Sequence, residues 1–190
     1  YDGIARFFRA FFYYEKVKRF GDVPWYDQVI GSADKELLNK PRDPRAFVMS
    51  KILEDLDFAI ANISDTKDVY RVTKWSALAL KSRVMLFEGT FRKYHGLGDW
   101  EDCLKECVKA SEEFMNESGY TLYSKGKTPY AELFNTLNAT ETMDEVILAR
   151  DYNNTVQLRH SVQNYTTSPT AGCTGVTRRL VDAYLMADGK

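Results

Sequence analysis

No stretch of this 190-residue chain is long and apolar enough to span a bilayer, which takes about 18 or more residues; the densest run, Phe7 to Tyr14, is broken by Arg9. A run of like charge is equally missing. With 26 basic against 27 acidic residues the net charge is -1, which excludes a basic nucleic-acid-binding surface. Histidine and cysteine are scarce. His95 and His160 fall in or near loops, and Cys103, Cys107 and Cys173 show no metal-type spacing. Cys103 and Cys107, four apart on one apolar helix face, pack as small hydrophobes more readily than they bind a metal. The chain has no Gly-x-Ser-x-Gly elbow, no His-Glu-x-x-His helix and no phosphate-cradling glycine loop. No catalytic residue, metal ligand or cofactor is therefore assigned, and no enzyme is expected. The acidic set Glu54, Asp55 and Asp57 does not change this, because side chains one and two apart on a helix do not face each other; it reads as a solvated face. The N-terminus carries no basic region followed by an apolar one, so the chain looks cut from something longer.

Aromatic residues are what the sequence has in excess: 14%, with 12 Tyr, 11 Phe and 3 Trp. On helical spacing they fill interhelical grooves, whereas on loops they are candidates for stacking on flat ligand faces such as sugars. The first helix is predicted over Ile4 to Phe20, with Ile4, Phe7, Phe8, Phe11, Tyr14 and Val17 as its buried stripe, stopped by Gly21 and Pro24. A long aperiodic loop carrying Trp25 and Tyr26 follows. A second helix opens at Asp43-Pro44, with Asp43 as N-cap and a stripe through Phe47 or Val48, Ile52, Leu56, Ile60 and Ile63. A third begins at Thr73 as N-cap and runs to Tyr94, with Trp75, Leu78, Ala79, Ser82, Met85 and Leu86 on one side. Gly96 to Gly98 turn the chain into a fourth, capped by Asp99 and striped by Trp100, Cys103, Leu104, Cys107, Val108, Ser111, Phe114 and Met115.

Beyond Tyr120 the pattern breaks into short pieces. Tyr120 to Tyr123 reads as extended, Tyr130 to Phe134 as one helical turn, Glu145 to Ala149 as a short strand, Asn153 to Thr174 as loop, and Val176 to Met186 as a last helix. Two antiparallel helices joined by a short glycine-containing turn are the unit of tetratricopeptide solenoids, although the repeat signature is not present twice. The fold class is mainly α, with tetratricopeptide-like helical pairs and long irregular loops.

Four segments together resemble the SusD/RagB family: Arg6 through Tyr14 leading to Arg19-Phe20-Gly21-Asp22-Val23-Pro24; Ile52 to Ile60; Arg71-Val72-Thr73-Lys74-Trp75-Ser76-Ala77 with Arg83 to Phe87; and Glu145 to Leu148 followed by Leu180 to Lys190. The resemblance spans nearly the whole chain, read as a single SusD-like helical segment over 1–190, truncated at both ends relative to the family. It implies a surface-exposed outer-membrane lipoprotein that captures glycan or another nutrient and delivers it to a SusC-like TonB-dependent transporter. The membrane would be met only through a lipid anchor outside this chain. No individual sugar-contacting residue carries over by motif.

From the residues themselves, ligand-binding candidates are Trp25 and Tyr26, whose loop position suits stacking on a pyranose ring, and Arg150, Asp151, Tyr152 and Asn153, which set donors and acceptors beside an aromatic. Against each stands an ordinary role, packing for the aromatics and solvated loop for the polar set. Two alternatives compete with glycan capture. A helical-repeat scaffold would bind a peptide partner in a concave groove, and an all-helical glycoside hydrolase would need two inward carboxylates.

Overall fold

The computed structural model describes residues 1–153, 155, 157–171, 175–184 and 189. They fall into two compact units, 1–150 and 151–190.

Four long helices build the first unit: α1 (Asp2–Phe20), α3 (Arg45–Asn62), α4 (Lys74–Tyr94) and α5 (Trp100–Glu117), with a one-turn α2 (Lys35–Leu38) in the loop between the first two. Each long helix packs on its successor in the antiparallel sense. Arg9 meets Asp55 while Gly3 lies against Ile63; Arg45 meets Glu88 while Asp57 meets Lys81; Lys74 meets Glu113 while Gly89 lies against Leu104. These are tetratricopeptide-like helical pairs, with long irregular connections before α3 and α4 and a short glycine turn before α5. Among the described residues there is no β-strand, and the one isolated bridge joins Val23 to Asp43.

The core lies where α1, α3 and α4 meet, with Ala10, Val17, Val48, Ile52, Leu56, Ala59, Ala77 and Val84 almost wholly excluded from solvent. A smaller cluster of Trp75, Leu78 and Ala110 joins α4 to α5. On α1 the helical period is as expected but its phase differs. Phe7, Ala10, Tyr13, Tyr14 and Val17 are buried, while Ile4, Phe8 and Phe11 are partly exposed. The run from Phe7 to Tyr14 is apolar on nearly every face, so hydrophobicity leaves the phase open and the ion pair of Arg9 settles it. Val108 and Met115 on α5 and Leu86 on α4 also face outward; Ala110 is the buried residue of α5.

The capping differs from expectation at α3. Its N-cap position is Pro44, and the first helical amide, Arg45 N, donates to Asp22 Oδ1 at 2.8 Å, so the acceptor comes from the Gly21-Asp22-Val23-Pro24 turn and not from Asp43. Gly21, at φ 68°, ends α1 in the left-handed region that glycine enters without steric cost. Thr73 does sit at the start of α4, where Ser76 Oγ accepts from its amide in a capping box. Asp99 holds the N-cap position of α5 in a left-handed conformation without a side-chain cap bond.

The acidic face of α3 is solvated at Glu54 and Asp57, as the sequence suggests, but not at Asp55. Asp55 is 2% exposed and takes Arg9 in a forked pair at 2.6 and 2.7 Å, Asp57 pairs with the buried Lys81, and Glu54 pairs with Lys51. Lys81 also reaches Glu106 of α5; burial lowers its pKa, but the two ion pairs outweigh that and leave it raised. Glu88, 1% exposed, is shared by Arg45 and Arg92.

After α5 the chain forms α6 (Pro129–Asn135) and a 3₁₀ turn (Ala139–Thr142). Glu145 to Ala149 is not a strand. Its backbone is tied at the ends, Thr121 N to Asp144 O and Ala149 N to Val69 O, and Ile147 packs on the Trp75 cluster. The second unit holds two short helices, α7 (Val162–Thr167), inside the stretch expected to be loop, and α8 (Arg178–Val181), shorter than the helix expected over Val176 to Met186. Cys173 and the end of that expected helix, Leu185 and Met186, lie outside the described residues, as do Ala187, Asp188 and Lys190.

Helix α4 lies tight against α5 at Gly89, where an added Cβ would lie 2.6 Å from Leu104 Cδ2 and 3.1 Å from Trp100 O. Gly89→Ala is expected to force the pair apart and destabilise the protein by about 1–3 kcal/mol, read as a lowered denaturant midpoint at unchanged m-value.

Candidate functional site

The loop after α1 is held in place by polar contacts. Tyr13, buried on α1, donates its hydroxyl hydrogen to Pro24 O at 3.3 Å and accepts from Tyr26 N at 2.8 Å. Burial pushes its phenol pKa up. Trp25 N donates to Asp43 Oδ2 at 2.7 Å, Lys40 Nζ donates to Trp25 O at 2.8 Å, and Tyr26 donates its hydroxyl hydrogen to Leu37 O at 2.7 Å. Lys40 and then the Trp25 amide hold the Asp43 carboxyl below the usual aspartate range.

These contacts fix how the two aromatics are presented. The Trp25 ring lies 4.3 Å from the Tyr13 ring and 4.9 Å below the Arg9 guanidinium, and Trp25 is 6% exposed. The ring is thus packed against α1 and presents little open surface. Tyr26 is partly buried, its hydroxyl spent on the loop.

Trp25 nonetheless forms one wall of a polar cavity of about 350 Å³ between α1, α3 and this loop. Arg6 and Arg9 enter from α1, Asp27 from the loop, and Lys51, Glu54 and Asp55 from α3. Arg6 stacks 3.8 Å over Phe58 and lies 3.8 Å from Asp55. Arg9, forked on Asp55, has its pKa raised by that hydrogen bond. Tyr26 does not line the cavity. The sequence reading missed the charged lining. The available signal was Arg9, a charge inside the densest aromatic run of the chain, which requires a partner when its helix is buried.

Of the remaining candidates, Arg150 ends the first unit, and Asp151, Tyr152 and Asn153 open the second, each described within its own unit. Ala149, just before Arg150, donates its amide to Val69 O. In the second unit the Tyr152 ring meets His160 edge-on at 4.8 Å. Asn153 exchanges two backbone bonds with Leu158 and accepts from Thr155 N at 2.8 Å, so its side chain shapes a turn. Among the described residues no group of three or more His, Cys, Asp and Glu is placed to hold a metal ion, and no helix is long and apolar enough to cross a membrane.

Paired antiparallel helices that carry a long, pinned, aromatic loop define a tetratricopeptide-like helical protein. Residues 1–86 match the SusD-like family model, described as starch-binding associating with outer membrane. A SusD-like protein of Formosa agariphila is 24% identical over 151 residues, 78% of this chain and 25% of that protein. The crystal structure of a SusD-like protein from Bacteroides fragilis NCTC 9343 is 31% identical with a TM-score of 0.51, over 64% of this chain and 21% of that one. A structure solved with xylogluco-oligosaccharide shares the fold at TM-score 0.53 and 24% identity, over 70% of this chain and 25% of that one. The chain is similar to SusD-like proteins, and the match to the family model covers its first 86 residues. It spans 25% of the length of the curated relative it matches.

The anchoring of this loop depends on pH with a definite sign. Because the pKa of folded Asp43 is depressed, its contribution is fully present above the ordinary aspartate value of 3.8 and is lost as pH falls through the lower folded value. Asp43→Asn is expected to cost about 1 kcal/mol at neutral pH and to flatten the fall of stability below pH 3.8, measured by denaturant titrations across the acid range.

Proposed function

We propose that this chain is the helical part of a surface glycan-binding protein, which captures an oligosaccharide and delivers it to a SusC-like TonB-dependent transporter at the outer membrane, where a lipid anchor holds it. The observation that carries this reading is the match of residues 1–86 to a family described as starch-binding and associated with the outer membrane. The fold shared with a protein solved with xylogluco-oligosaccharide supports a saccharide as the ligand class.

Capture without turnover is supported by the state of the acids on α3. Glu54, Asp55 and Asp57 are each engaged by a cation, respectively Lys51, Arg9 and Lys81, whereas a glycosidase holds two carboxyl groups ready for the scissile bond. A peptide-binding scaffold is less well supported. The apolar groove lined by Phe7, Phe8, Phe11 and Leu80 is bordered by the chain's own Glu145, Ile147 and Leu148.

The full-length protein, titrated calorimetrically against starch, xyloglucan and other plant and algal glycans, is expected to bind one glycan class and to leave it intact on chromatography. It is expected to co-purify with a TonB-dependent barrel from detergent-extracted outer membranes. Released product, or no affinity for any glycan, would overturn the reading.

A further inference from the structure

The polar cavity beside Trp25 is lined by hydrogen-bonding groups from α1, α3 and the loop between them. We propose that it is a subsite for a single neutral pyranose ring, recognised through a pair of adjacent hydroxyls; the proposal deepens the glycan-capture reading and rests on it.

Three observations lead to this ligand. The first is the indole N–H. Trp75, the other buried tryptophan at the core, donates its Nε1–H to Asp65 O at 2.6 Å. Trp25, only 6% exposed, meets no side-chain or carbonyl acceptor for Nε1–H among the described residues, and no buried side-chain nitrogen there lacks a partner, so this N–H reaches solvent. A donor at the wall of a cavity, on a residue otherwise enclosed, is satisfied by water or by a ligand oxygen.

The second is charge. The lining brings three cations, Arg6, Arg9 and Lys51, against three carboxylates, Asp27, Glu54 and Asp55. Asp55 is taken by Arg9, and Glu54 lies 2.8 Å from Lys51. A phosphate or a uronate would meet carboxylates it cannot pair. A sugar hydroxyl both donates and accepts, so adjacent hydroxyls can give hydrogens to Asp27 or Glu54 while accepting from Arg6, Lys51 or the indole N–H.

The third is size and orientation. About 350 Å³ is at the small end of ligand cavities and suits one ring, not a long oligosaccharide. Because Trp25 is packed against Tyr13 and Arg9 and is 6% exposed, the indole acts as a hydrogen-bond donor and not as an open stacking platform.

The test follows the Trp25 indole directly. Full-length protein is labelled with ¹⁵N-tryptophan, and the Trp25 indole resonance is identified by its loss in Trp25→Phe. Glucose, xylose, galactose, mannose, glucuronate and inorganic phosphate are then added separately. At least one neutral sugar is expected to shift the Trp25 resonance saturably while that of Trp75 stays in place, with no response to glucuronate or phosphate. Asp27→Asn and Lys51→Met, both at solvent-accessible positions, are expected to weaken that response and the affinity for the parent glycan by about tenfold each. If the protein binds an oligosaccharide while Trp25 stays still and both variants bind as wild type, the subsite is overturned and the capture reading stands. If no glycan binds and no sugar moves Trp25, both fall. A shift with phosphate or glucuronate in place of the neutral sugars would overturn the neutral-ring assignment.

Discussion

A carboxylate that is 2% exposed, in the middle of a helix, is the constraint from which much of this structure follows. Dehydrating Asp55 costs several kcal/mol unless a cation meets it with good geometry, and Arg9 does so through two nitrogens at 2.6 and 2.7 Å. That pairing sets the register of α1 on α3. It also sets the rotation of α1, because Arg9 can reach Asp55 only when Tyr13 and Ala10 turn inward. Once Tyr13 is inside, its hydroxyl becomes the seat for Pro24 O and Tyr26 N, and the guanidinium lies over Trp25. Helix packing, loop position and cavity wall are thus linked through one ion pair. A second buried acid, Glu88, does similar work further along, drawing Arg45 of α3 and Arg92 of α4 to one point.

The four long helices were legible in the sequence because each combines a helical apolar period with a physical stop or start: Gly21 after α1, Pro44 before α3, Thr73 before α4 and the glycine turn before α5. The phase of α1 was not legible, since aromatics occur on almost every side of it. Nor was the origin of the cap on α3. Asp43 stands one residue ahead of Pro44 and has the right chemistry, yet it is occupied by Trp25 N and Lys40, and Asp22 reaches the helix from across the loop. Glu145 to Ala149 has strand-like composition, but a strand needs a partner edge, and here Glu145 N and Val146 N turn back to Thr142 O while Ala149 N goes to Val69 O, which makes no ladder.

The candidate site was half legible. Sequence placed Trp25 and Tyr26 on an ordered loop, which the structure also has, but it pictured open ring faces where Tyr13 and Arg9 pack against one indole and Leu37 holds the phenol. The charged lining comes from three segments far apart in the chain, around Arg6, Asp27 and Lys51, and no local pattern joins them. Asp55 looked like part of a solvated helix face because composition alone cannot say which side of an all-round aromatic helix it will meet.

The bond from Asp22 to Arg45 N and the bridge between Val23 and Asp43 tie together the two ends of the stretch between α1 and α3. The stretch is therefore closed at its base like a purse, and its tip, through α2, hangs beyond the tie. Lengthening a loop that is already closed costs little, about 0.6 kcal/mol for each doubling. Insertions and deletions around Val29 to Asp34 can accordingly accumulate through descent without disturbing the helices on either side, and the tip can diversify while its base stays fixed.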